Sequence, residues 1–184
     1  MWKKTVMPVL TLGMVLFCCS MALSAGRRDK SASDGVIEIG APAPDFTLRD
    51  LEGGDFSLKS LRGKVVVMTF WATWCPACRS ELPSLNALNR RLARHEIVVL
   101  GINGGESAAR VKAFMVKENL DFPVVIDESG DIHALYQVRQ YPTTFIIDRQ
   151  GRLSDRHIGL RDWNAPDVVE ALRSLTGNAL EERR

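Results

Sequence analysis

Hydrophobic and polar positions divide the chain into segments of different period. After Lys3 and Lys4 no charged residue occurs from Thr5 to Gly26, a basic start followed by an apolar stretch in the manner of an export signal. Small residues near its end offer cleavage after Ala22 or after Ser24. Roughly 20 apolar residues also span a bilayer, so residues 1–26 read as a signal peptide or as an uncleaved signal anchor. Residues 27–37 are mostly polar and aperiodic and read as a tether; residues 179–184 read as a polar tail.

Between them, residues 38–178 form the folded part. Pro42 and Pro44 exclude helix from the segment Ile39 to Leu48, where Phe46 and Leu48 alternate with polar neighbours. The turn Glu52-Gly-Gly-Asp55 reverses the chain into Phe56-Ser57-Leu58, a hairpin signal. Lys64 to Trp71 is a β-branched and aromatic run, the pattern of a strand buried on both faces. Leu82, Leu85, Leu88 and Leu92 then recur at helical spacing, with Arg90, Arg91 and Arg94 on other faces, predicting an amphipathic helix that opens at Pro76. Further strands are predicted over 97–102, 122–127, 143–148 and 152–158, and helices over 107–119, 132–136 and 165–175. Alternating strands and helices imply an α/β fold with a mainly parallel central sheet flanked by helices, made mixed by the last hairpin.

Composition changes this picture little. The 184 residues are 46% hydrophobic and 25% charged, with 24 Lys+Arg against 22 Asp+Glu. Lys3 and Lys4 belong to the export segment, so the remainder is formally neutral and carries no nucleic-acid footprint. The membrane is involved only through the N-terminal segment. Four cysteines are too few for a disulfide scaffold and must be read by position. Cys18 and Cys19 lie in the export segment, where Leu16-Phe17 ahead of them disfavours lipid attachment; they read as apolar filler.

Cys75 and Cys78 differ: the order is strand, CxxC, helix. At a helix start, unsatisfied N–H groups and the positive end of the dipole favour an anion, so the Cys75 thiolate is stabilised. Cys75 is the predicted nucleophile and Cys78, one turn on, the resolving thiol; the pair exchanges disulfides through a mixed disulfide. Pro76 sits just inside the helix start, where a missing N–H loses nothing. A zinc site would need further ligands, and His95, His133 and His157 are widely spaced. A purely structural bridge over so short a loop constrains the unfolded chain little.

Phe70-Trp-Ala-Thr-Trp-Cys-Pro-Ala-Cys78, Pro142-Thr-Thr-Phe145 and Ala43-Pro-Asp-Phe-Thr-Leu48 carry a resemblance to the thioredoxin superfamily. Within it, residues 38–176 resemble the TlpA/ResA-like membrane-tethered or periplasmic thiol–disulfide oxidoreductases. The resemblance implies a thioredoxin-like fold with an added N-terminal β-hairpin and an αβ insertion over 103–127. It implies a cis-proline at Pro142 facing the cysteines, with Tyr141, Trp74 and Pro76 on the client-docking surface, Trp71 in the core, and Pro83 as a kink in the helix. Thioredoxins bury an aspartate at the position held here by Thr69, which cannot act as a base. In ResA-like proteins a glutamate one turn beyond the second cysteine takes that place, and Glu81 stands there, able to hold or relay the proton of Cys78.

No cofactor is implied. The implied partners are thiols or disulfides of exported proteins, apocytochrome c among them, and a membrane electron-donor thiol protein. The implied location is the periplasm or the extracytoplasmic face of the membrane, and the implied direction is reduction. Two rivals share the fold. A peroxiredoxin-like thiol peroxidase would need proline and threonine where Met68 and Ala72 stand. A copper(I) chaperone would space its cysteines CxxxC with a histidine ligand, although two thiolates alone also bind copper(I).

Overall fold

A computed structural model describes residues 37–92 and 96–177. The predicted export segment, the predicted tether up to residue 36, His95 and the predicted polar tail lie outside the described residues.

The strands are β1 (Thr47–Asp50), β2 (Asp55–Ser57), β3 (Val65–Trp71), β4 (Ile97–Gly104), β5 (Val124–Asp127), β6 (Thr143–Ile147) and β7 (Leu153–Ile158). The helices are α1 (Pro76–Leu92), α2 (Ala108–Lys117), α3 (Asp131–Leu135) and α4 (Pro166–Ser174). All seven strands join one sheet in the order β2-β1-β5-β4-β3-β6-β7. β3, β4 and β5 run parallel, while the other neighbours pair antiparallel. This is the mixed sheet of a thioredoxin-like fold. The N-terminal hairpin extends it by pairing β1 with the edge of β5.

β3 is buried along its whole length because both sheet faces are covered. Its period of two divides the core: Val65, Val67 and Trp71 pack with Leu82, Leu85 and Leu88 of α1, Val111 of α2 and Leu172 of α4. Val66, Met68 and Phe70 face the opposite layer with Leu100, Phe145 and Tyr136. Each such apolar side chain contributes about 1.5–3 kcal/mol of transfer free energy. That stabilisation fixes the orientation of α1 on the sheet.

One short element departs from the predicted pattern. β2 ends at Ser57, and Leu58–Leu61 form a 3-10 turn instead of prolonging the strand. Ser57 accepts the Lys59 N–H, and the turn buries Leu58 and Leu61 in the second core layer. Pro83 lies inside α1, which runs through it. Among the described residues no helix is long and apolar enough to cross a membrane.

Candidate active site

Three parallel strands end side by side. The register pairs Trp71 with Asn103 and Gly104 with Asp127, so the segments following β3, β4 and β5 emerge on one edge of the sheet. From β3 the chain turns through Ala72-Thr73-Trp74 to Cys75, just ahead of α1, and Cys75 forms a disulfide with Cys78 in the first turn of that helix, Cα atoms 5.3 Å apart. The Cys78 N–H donates to Cys75 Sγ at 3.1 Å. That donor, together with the helix start, favours negative charge on Cys75 when the bridge opens. Cys75 is 5% exposed and Cys78 1%. The difference is small, but it leaves Cys75 as the sulfur that lines a cleft.

That cleft, of about 540 Å³, is bounded by Trp74, Cys75 and Pro76 on one side and by His133 and Tyr141 on the other. Tyr141 arrives because β6 runs antiparallel to β3 with Thr143 opposite Phe70, which returns residues 141 and 142 to the edge where β3 ends. The Tyr141–Pro142 peptide bond is cis, as the resemblance implies. The Trp74 and Tyr141 rings lie 5.7 Å apart. Trp74 is 62% exposed, a large apolar surface beside the disulfide, whereas Trp71 is fully buried. Thr69 is buried and accepts a hydrogen bond from Thr144 Oγ1 at 3.0 Å. Its position holds no acid.

Glu81 is 1% exposed, one turn beyond Cys78 on α1. The Arg161 N–H donates to its Oε2 at 3.0 Å, while Oε1 is buried without a partner. Desolvation dominates, and although the Arg161 amide and the Trp163 indole oppose it, the carboxyl is pushed up to about 7. It therefore exchanges its proton near neutral pH.

Two further groups sit on this edge, and nothing in the sequence spacing singled them out. Glu106, beyond β4, accepts from the Thr73 N–H at 2.7 Å, from Thr73 Oγ1 at 2.6 Å and from Asn103 Nδ2 at 3.0 Å, and it pairs with Arg110 at 2.8 Å. Burial works against its charge, but these donors and the guanidinium hold its carboxyl below the ordinary range. It pins the turn that leads into Cys75. Asp127, at the end of β5, accepts from both the backbone N–H and the ring Nδ1 of His133. Its carboxyl likewise lies below the ordinary range, the His133 hydrogen bonds outweighing burial. Among the described residues no cluster of His, Cys, Asp and Glu is arranged to hold a metal ion.

A thioredoxin-like sheet bearing a Cys-Pro-Ala-Cys disulfide at a helix start, with a cis-proline on the same edge, defines a class: the thiol–disulfide oxidoreductases. Sequence and structural comparisons narrow it. The model of the AhpC/TSA family matches residues 39–156, and the chain belongs to that family. It is 41% identical over 126 residues to the thioredoxin-like protein YneN of Bacillus subtilis, covering 67% of this chain and 73% of that one. It is 39% identical over 140 residues to the thiol-disulfide oxidoreductase ResA of Geobacillus thermodenitrificans, covering 76% and 79%. Among solved structures, a putative thiol:disulfide interchange protein DsbE from Chlorobium tepidum aligns with TM-score 0.67 and 32% identity, over 79% of this chain and 99% of that one. StoA from Bacillus subtilis aligns with TM-score 0.59 and 26% identity, over 74% and 98%. The chain is a thiol–disulfide oxidoreductase of the ResA and DsbE type.

Proposed function

We propose that this protein reduces disulfides of exported proteins at the extracytoplasmic face of the membrane. The N-terminal segment would deliver it there, as a cleaved signal or as an anchor. Cys75 thiolate attacks a client disulfide, the client's second sulfur leaves, and Cys78 then attacks Cys75 Sγ to release the reduced client and close the Cys75–Cys78 bridge. Glu81 takes the proton of Cys78 as that thiol becomes a nucleophile. Trp74, Pro76 and Tyr141 form the docking surface around the bridge, with backbone pairing at residue 141 beside Pro142. Electrons return from a membrane thiol protein, and apocytochrome c is one client class that fits.

The observation that carries this reading is the buried Glu81 one turn from Cys78, with a carboxyl pushed up to about 7 and one oxygen unpartnered. A resolving thiol needs a base that works near neutrality, and the Thr69 position supplies none. The test joins two measurements. A Cys78→Ser variant in the native host should accumulate mixed disulfides with exported proteins through Cys75, identified by mass spectrometry. A redox titration should place the Cys75–Cys78 couple on the reducing side of the compartment. Efficient oxidation of reduced client peptides by a strongly oxidising couple would reverse the assigned direction.

A further inference from the structure

The wall of the cleft opposite the disulfide carries a second ionisable group that the exchange steps above leave unused. His133 is 8% exposed, and its backbone N–H donates to Asp127 Oδ2 at 2.9 Å. Its Nδ1 meets the same oxygen at 2.5 Å. An ionised carboxylate accepts only, so this contact assigns the ring hydrogen to Nδ1 and leaves a lone pair on Nε2. Nε2 is buried with no hydrogen-bond partner. An unmet buried acceptor is unfavourable, and the apolar neighbours do not relieve it: the Phe70 ring packs edge-on with centroids 4.9 Å apart.

The Tyr141 hydroxyl lies near Nε2 without a hydrogen bond to it. A Cβ built on Gly104 would stand 2.7 Å from Nε2 and would collide with the Tyr141 hydroxyl oxygen. The two polar atoms therefore converge on one point, and only the missing side chain of Gly104 leaves it open. The Tyr141 and His133 rings meet edge to face, with centroids 5.4 Å apart. Tyr141 is in turn the wall residue facing Trp74 across the cleft that Cys75 lines. Asp127, His133 and Tyr141 thus lie in succession between the end of β5 and the cleft that Cys75 lines.

We propose that His133, oriented by Asp127 and connected to the cleft through the Tyr141 hydroxyl, is the acid–base group for the client's sulfur, as Glu81 is for Cys78. The inference rests on the exchange chemistry assigned above. The Cys75 thiol releases its proton to solvent, favoured by the helix start, and Nε2 takes one up, giving a Cys75 thiolate and an imidazolium facing Asp127. The thiolate then forms a bond to one client sulfur and the client S–S bond breaks. The leaving sulfur takes a proton from Tyr141, which is restored from Nε2. One thiol is consumed and one is released, and no outside oxidant or reductant enters. Tyr141 acts as a relay and not as a phenolate: burial, with the charges of Asp127 and Glu106, pushes its hydroxyl up to about 12.

The ionisable and charged groups around this path are Asp127 from β5, Glu106 beyond β4, Arg139 and Tyr141 ahead of β6, and Cys75 on the opposite wall. Asp131 on α3 itself is exposed and is bonded by the Ser129 hydroxyl.

Acid assistance matters only when the leaving thiol is basic, which supplies the test. The reduced full chain is reacted in single turnover with an aryl disulfide, 5,5′-dithiobis(2-nitrobenzoate), and with bis(2-hydroxyethyl) disulfide, whose leaving thiol is far more basic. Tyr141→Phe and His133→Gln should slow the alkyl reaction by about 100-fold, at the low end of what general acid–base catalysis contributes, and the aryl reaction by less than about threefold. Equal losses on both substrates, or no loss on the alkyl one, would overturn the relay. Should His133→Gln fail to fold, Tyr141→Phe, which removes one oxygen atom, decides alone. Failure of the unsubstituted chain to reduce even the aryl disulfide would instead refute the exchange reading itself.

Discussion

Replacing Glu81 by Gln separates what the carboxyl does to the fold from what it does to the thiols. Between pH 4.5 and about 7 the folded chain keeps a proton on Glu81 that the unfolded chain releases. The stability this proton contributes is complete below pH 4.5 and is lost as the pH rises through 7. A displacement from 4.5 to about 7 corresponds to about 3 kcal/mol of differential stability. Gln has nearly the same shape, still accepts from the Arg161 N–H and does not titrate. The stability of Glu81→Gln relative to the unsubstituted protein should therefore shift by about 3 kcal/mol in favour of the variant between pH 4 and pH 9. Urea unfolding of the oxidised proteins across that range is the assay, because the closed bridge keeps both cysteines from titrating. A stability difference that does not vary with pH would refute the assignment of a neutral, desolvated carboxyl. In the reduced protein the same substitution should slow resolution of the Cys75 mixed disulfide and flatten its pH profile near neutrality, and an unchanged profile would remove Glu81 from the mechanism.

Glu106→Ala should lower stability by about 3 kcal/mol in urea unfolding at pH 7, since it strands the buried Thr73 N–H and the Asn103 amide and unpins the turn before Cys75. Because the Glu106 carboxyl lies below its ordinary value, its contribution is present above pH 4.5 and should fade on acidification through the folded-state value, visible as a converging pair of unfolding curves. Gly104→Ala forces a methyl group against Tyr141 and His133; a loss of about 1–3 kcal/mol is expected, with a change in near-ultraviolet circular dichroism from Tyr141. Trp74→Ala should leave stability within about 0.5 kcal/mol yet weaken client-peptide capture by about tenfold or more, measured as the Kd of a Cys-to-Ser client peptide.

Periodicity exposed the framework because each element has one dominant local cause. The Val65–Trp71 run has no polar alternation, and it becomes the strand covered on both faces; the leucines of α1 repeat at helical spacing, and all of them are buried. Leu58 misled the pattern: as an apolar residue after Phe56 it reads as a strand continuation, whereas Ser57 caps a 3-10 turn that buries it. The cysteine pair was legible because four letters and their place after a strand define it. Glu106, Asp127 and His133 were not, since the register of parallel strands brings the ends of β4 and β5 to this edge and α3 carries His133 there from beyond β5, long-range placements with no local signature.

Three buried carboxyls stand near this disulfide, and composition alone would treat them alike. Glu106 meets three hydrogen-bond donors and the Arg110 guanidinium, and Asp127 meets two donors from His133; both stay charged. Glu81 meets the Arg161 N–H and, with less effect, the Trp163 indole. Burial raises a carboxyl and donors lower it, so the balance between them decides the sign. Glu106 and Asp127 are thereby suited to hold geometry, fixing the turn before Cys75 and the ring of His133. Glu81, where burial outweighs the donors, is the one whose proton moves in the pH range where a resolving thiol must ionise, and it lies on the same helix as that thiol.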